Sequence, residues 1–216
     1  MFLPPVVYDG ALQRQLAQGD FVTNFEPAIP ATDTTVTLAY TAAMVTTPTY
    51  VRNPAGVSTD TFPTADALLS ALQAGIGLSG GVRIGMSWRL RVVNLSANLL
   101  TGAVTANTGA TMVRGNVLAS TSKDFLFQVT NGTPLISCAN IGSANASAVL
   151  TGFTAAQIAN ITPGMVVTNA VVGQQGNTVL GVNATALTVT MSGNSNASGP
   201  SVFTFSPTYT VTGLAA

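Results

Sequence analysis

The stretch Met86-Ser87-Trp88-Arg89-Leu90-Arg91-Val92-Val93-Asn94 decides the fold class. Met86, Trp88, Leu90 and Val92 recur at every second position, with Arg89 and Arg91 between them. A period of two marks a strand with one face buried and the other in water; a helix would need apolar residues three and four apart. Phe125, Phe127 and Val129 repeat the alternation, and so do Val36, Leu38 and Tyr40. Further along, short Thr- and Val-rich runs at Met165–Thr168, Thr178–Val182, Leu187–Met191 and Val202–Phe205 are separated by Gly- and Asn-rich turns. Such residues fit a pleated surface, and strands at roughly ten-residue spacing indicate a sandwich or small barrel.

Helical signals are few. Thr64 is a good N-cap, Asp66 suits the positive helix end, and Leu68, Leu69 and Leu72 form a stripe before Gly75, so a helix is predicted over about 64–74. Thr154-Ala155-Ala156-Gln157 has the capping-box spacing of a second, shorter helix. Near the start, Asp9 can cap a short helix that places Leu12 and Leu16 on one face and stops at Gly19; Pro27 and Pro30 then force an extended path. Residues 46–63, with Asn53-Pro54-Ala55-Gly56, read as a long loop. Small and polar residues over 136–150 mark a boundary. The expectation is a mainly β chain of one or two small sandwich or barrel modules with one or two short helices. It divides into an extended N-terminal arm (1–33), a β-rich module with one helix (34–135) and a charge-free C-terminal β-module (136–216).

Charge narrows the function. Of 216 residues 47% are hydrophobic and 6% charged, with seven basic and seven acidic side chains cancelling; about 25% charged is usual. Asp124 is the last charged residue, and the 92 that follow carry none. A chain so poor in charge lacks the repulsion that keeps monomers apart, which points to a surface covered by partner subunits. Thr, Asn, Ser and Gly interrupt every apolar run, so no membrane-spanning stretch of about 18 residues exists, and aromatic girdles of a membrane barrel are missing. Met1-Phe2-Leu3-Pro4-Pro5 does not read as a secretory signal. The lone Cys138 excludes an internal disulfide, fits a reducing cytosol of synthesis and suits a small buried apolar role.

Chemistry is short of side chains. There is no histidine, and one cysteine cannot build a zinc site. Asp60 and Asp66 are the nearest plausible carboxylate pair, explained more simply by loop solvation and by helix-end stabilisation. Gly75-Ile76-Gly77-Leu78-Ser79-Gly80 fits G-x-G-x-x-G, but a dinucleotide site needs strand before and helix after, the reverse of the order here. No enzyme activity, metal or cofactor is expected. Net charge of zero and no basic stripe argue against nucleic acid. Asn-x-Ser/Thr triplets at Asn94, Asn131, Asn145, Asn160, Asn183 and Asn196 reflect composition, though the same richness suits carbohydrate. Leu12, Leu16, Arg89 and Arg91 are the candidate inter-subunit contacts. The arginines would meet acidic groups of a neighbouring chain, or simply form a solvated strand face.

Two stretches resemble structural proteins of tailed bacteriophages. Residues 161–205 run Ile161-Thr162-Pro163-Gly164-Met165-Val166-Val167, Gly176-Asn177-Thr178-Val179, Leu187-Thr188-Val189-Thr190-Met191-Ser192 and Val202-Phe203-Thr204-Phe205. That order is similar to a small β-module recurrent in phage virion proteins, although Gln174-Gln175 stands where such modules often carry an Ile-Pro turn. Residues 64–130 resemble phage surface modules in which a short helix precedes a strand like Arg89-Leu90-Arg91-Val92-Val93-Asn94. The resemblance implies β-sandwich subunits, frequently trimeric, attached to a capsid or tail. It makes the expected function a capsid-surface decoration (cement) or head-fibre subunit, with a tail-associated fibre, adaptor or receptor-binding protein as alternative. The expected partners are further copies of the chain and a major capsid or other virion protein, with a host glycan added for a tail placement. The expected location is the virion, after synthesis in the host cytoplasm.

Overall fold

The computed structural model describes residues 32–76, 82–169 and 176–214, and the backbone of 8–9 and 14–15. At the start, β1 (Tyr8–Asp9) pairs antiparallel with β2 (Arg14–Gln15), which corrects the helix expected after Asp9. Two leucines on one face are too little for so short a helix, since isolated helices below about 12 residues are marginal. Leu12 and Leu16 lie outside the described residues.

The rest is mainly β. In chain order come α1 (Ala42–Thr46), β3 (Thr49–Arg52), β4 (Ser58–Phe62), α2 (Ala65–Ile76), β5 (Ser87–Asn94) and β6 (Leu100–Val104). Next are β7 (Ala110–Val113), β8 (Asn116–Val117) and β9 (Thr121–Asn131). These build a sandwich of two sheets, β3-β5-β9-β16-β7 and β4-β6-β8, where β16 is Thr208–Gly213. Phe62 joins the layers: it stacks on Tyr40 at 4.9 Å and meets Phe125 and Phe127 of β9 at 5.5 and 5.4 Å. Phe127 stacks in turn on Trp88 of β5. As the alternation requires, Trp88, Leu90 and Val92 are buried while Arg89 and Arg91 are exposed. Leu68, Leu69 and Leu72 of α2 close the core, and the Thr64 hydroxyl accepts from Ala67 N–H as its cap. The helix runs one residue past Gly75. A helix before and a strand after frame the glycine motif as expected, while most of the motif itself lies outside the described residues.

Two readings of this half are corrected. The loop expected over 46–63 contains β3 and β4, parallel partners of β5 and β6. On β4 the inward positions are Ser58, Asp60 and Phe62, so two polar residues hide the alternation. The strand expected from Thr34 is reduced to single bridges at Asp33–Arg52 and Ala39–Thr61; Leu38 and Tyr40 are buried, but Val36 is 52% exposed.

The second unit comprises β10 (Ile136–Ser143), β11 (Val149–Leu150), α3 (Ala155–Ile158), β12 (Val166–Thr168), β13 (Asn177–Asn183), β14 (Thr188–Met191) and β15 (Gly199–Ser206). Its six strands are ordered β10-β15-β12-β13-β14-β11, all antiparallel. Reciprocal hydrogen bonds between Gly142 and Thr151 then join β11 back to β10. This single bridge curls the sheet into a barrel-like module and leaves less open edge, which suits a charge-free unit that must not pair with other chains. Its apolar core includes Ile141, Val167, Met191, Phe203 and Phe205. The capping box is formed: Thr154 N–H donates to Gln157 Oε1 at 2.8 Å, and Gln157 N–H to Thr154 Oγ1 at 3.2 Å. Cys138 is buried in this core, and burial pushes its thiol pKa up.

The stretch 136–150 is therefore barrel wall, and the passage between cores lies at 132–135. The C-terminal strand also leaves the barrel. β16 returns to the sandwich and sits inside its sheet, antiparallel to β9 and parallel to β7. The barrel is an insertion between two neighbouring strands of the sandwich.

Candidate functional site

Arg89 and Arg91 lie on the outer face of the five-stranded sheet. Asp124 stands directly opposite Arg91 on β9, and the two form a bidentate pair, Nε to Oδ1 at 2.7 Å and Nη2 to Oδ2 at 3.1 Å. This hydrogen bonding, opposed next in weight by burial and helped by the charges of Arg91 and then Arg89, holds the Asp124 carboxyl below its usual range. The acidic partner of Arg91 is thus on its own chain. Arg89 remains exposed beside the pair.

A second ionic cluster escaped the sequence reading. Arg52, at the end of β3, is fully buried, and so is Asp60. Arg52 donates Nε to Asp60 Oδ2 at 2.7 Å and Nη2 to Asp60 Oδ1 and to Thr35 O, both at 2.8 Å. Its Nη1 donates to Asp33 Oδ1 at 2.8 Å. Burial is the largest single influence and would lower the arginine pKa, but the hydrogen bonds to Asp60 together with the charges of Asp60 and Asp33 and the Tyr40 hydroxyl outweigh it and keep the charge. Burial also tends to raise Asp33, yet hydrogen bonds from Thr35 and Tyr50 and the charge of Arg52 bring it below its usual range. Asp60 is therefore not solvated in a loop as expected, nor open to a substrate. The cluster clamps Asp33, where residues 1–31 join the body, onto the sandwich.

The only early signal was Arg52 itself, a lone cation in a polar stretch.

The third feature is the junction. Asn131, at the end of β9, is fully buried; its Nδ2 donates to Thr162 Oγ1 and Pro163 O, both at 2.9 Å, and its Oδ1 accepts from Thr133 N–H at 2.8 Å. Thr208 Oγ1 donates to Gly164 O at 3.2 Å. These bonds dock the barrel against the end of the sandwich and leave a step between them. Its floor is Thr111, Thr130 and Thr208 of β7, β9 and β16, and its wall is Gly164, Val166 and Thr178 of the barrel. The space in the step is about 370 Å³. Gly109, at φ +78°, makes this corner possible, because a Cβ there would collide with the Pro207 carbonyl oxygen.

Among the described residues no group of three or more His, Cys, Asp or Glu comes together, and no helix is long and apolar enough to cross a membrane. No protein-family model, curated protein or solved structure matches the chain.

Proposed function

We propose that this chain is a non-enzymatic structural subunit of a tailed-bacteriophage particle, a head-surface decoration or head-fibre protein that works as an oligomer. The observation that carries the reading is the polarity of the molecule. β9 ends at Asn131 beside the barrel, whereas its start, Thr121, pairs with Asn94, which in turn pairs with Arg52. The segment 1–31 thus joins the sandwich at the end opposite the barrel. Every charged residue of the described body lies between Asp33 and Asp124, so the barrel carries none. The N-terminal arm expected from the sequence and a charged module at one end would suit attachment to a major capsid or other virion protein, and a neutral barrel at the other suits projection away from it. The phage-like stretches 64–130 and 161–205 support the same setting.

Cryo-electron microscopy of purified virions tests the placement: the chain is expected on the head surface, its barrel outward. Light scattering on the purified protein is expected to give a trimer. Location elsewhere, or a stable monomer at high concentration, defeats the proposal. The step at the junction favours a second reading, a tail-associated fibre, adaptor or receptor-binding protein. Binding of the chain to host cells, competed by host polysaccharide, would select it.

A further inference from the structure

We infer that the step between sandwich and barrel is a binding subsite for an uncharged oligosaccharide. The inference rests on the second, adhesion reading and names the class of ligand that this step would take.

Ligand clefts commonly form where two modules meet, and about 370 Å³ falls at the lower end of their usual size. The lining decides the class of ligand. Among the described residues it holds threonines, glycines, one valine, one alanine and one asparagine, with no charged and no aromatic side chain. An ionised ligand would lose hydration there without a counter-charge, and a wholly apolar one would strip water from hydroxyls without replacing it. A neutral polyol avoids both penalties. Each sugar hydroxyl donates and accepts, as does each threonine hydroxyl, and threonine methyls can rest against ring C–H groups.

The hydroxyls are partly oriented in advance. Thr130 Oγ1 donates to Thr208 Oγ1 at 2.7 Å, and Thr208 Oγ1 passes its own proton to Gly164 O. With those protons committed, the Thr130 and Thr208 oxygens keep lone pairs that can act as acceptors. Thr111 and Thr178, on the floor and the wall, make no side-chain hydrogen bond among the described residues, so their protons are available to a ligand. The step is open along the sheet. Beyond Thr111 the same face continues through Thr210 and Gln128, which pair across β7, β16 and β9. A chain of sugars can lie along that row, whereas a single ring would use only the corner.

The test uses the purified full-length chain against an array of neutral, sialylated and sulfated oligosaccharides, followed by titration calorimetry on the best neutral binder. Three variants accompany it: Thr178→Val removes one hydroxyl at constant shape, Thr111→Trp fills the floor, and Thr185→Val changes the β13–β14 turn far along the barrel wall. The expected result is preference for neutral oligosaccharides, about tenfold weaker binding for Thr178→Val, loss for Thr111→Trp and no change for Thr185→Val. Unchanged binding in Thr178→Val and Thr111→Trp, preference for charged sugars, or no neutral binder at millimolar concentration overturns the site. Because the assay needs no particle, such a failure leaves the assembly proposal to be judged by position on virions.

Discussion

Arg52 and Asp60 present the sharpest energetic contrast among single residues. Desolvating an ion pair costs nearly as much as the pair returns, but leaving one member alone in the core is expensive. Arg52→Met is expected to destabilise the protein by about 3–5 kcal/mol in urea unfolding, because Asp60 stays buried without its cation. Adding Asp60→Leu should recover much of that loss. A second expectation concerns acid. Asp33 and Asp124 are both held below the ordinary carboxyl value, so they stabilise the fold fully above the unfolded value of about 3.9. As pH falls the unfolded chain takes up protons first, and this stabilisation is lost on the way down through the folded values. The urea midpoint should stay level from about pH 7 to 5 and decline below about pH 4, less steeply in Asp33→Asn. The share due to Asp124 should shrink in high salt, since Arg91 is exposed. None of this was open to reading from Ser58-Thr59-Asp60-Thr61-Phe62 alone. A buried carboxylate looks like a turn residue until the partner eight positions away is known to share its core.

Elements that depend on near neighbours were readable. The Arg89–Arg91 alternation, the Thr64 cap and the Thr154–Gln157 box are settled within four residues, and all three formed. β3 and β4 were missed because each finds its parallel partner about forty residues later, beyond any local pattern. β9 lies between these cases: Phe125, Phe127 and Val129 announced the strand, but nothing announced that its last residue would hold the barrel. Asn131→Ala would leave the Pro163 carbonyl and the Thr133 N–H without their partner. A loss of about 1–3 kcal/mol is expected in urea unfolding, together with faster hydrogen exchange at Thr133.

Across the whole molecule, the small and polar run over 136–150 was read as a boundary but is β10, β11 and their turn, and the return of β16 was not legible at all. Thr208-Tyr209-Thr210-Val211-Thr212 resembles the barrel strands in composition, and only pairing with β9 and β7 assigns it to the other core. Because Asn131 and Thr208 are opposite each other, the barrel enters and leaves through adjacent positions. Replacing residues 134–206 with a short Gly-containing turn is therefore expected to leave a folded sandwich. Native-like Trp88 fluorescence and a cooperative melt would show it; an unfolded product would mean that the two cores stabilise each other much more than their contacts suggest.

The late return of β16 also sets an order of events at the ribosome. The barrel emerges complete and can close at once, whereas the sandwich must wait with a gap in the middle of its larger sheet until β16 leaves the exit tunnel. A message cut short before β16 would yield a finished barrel on a base whose β9 and β7 have no strand between them.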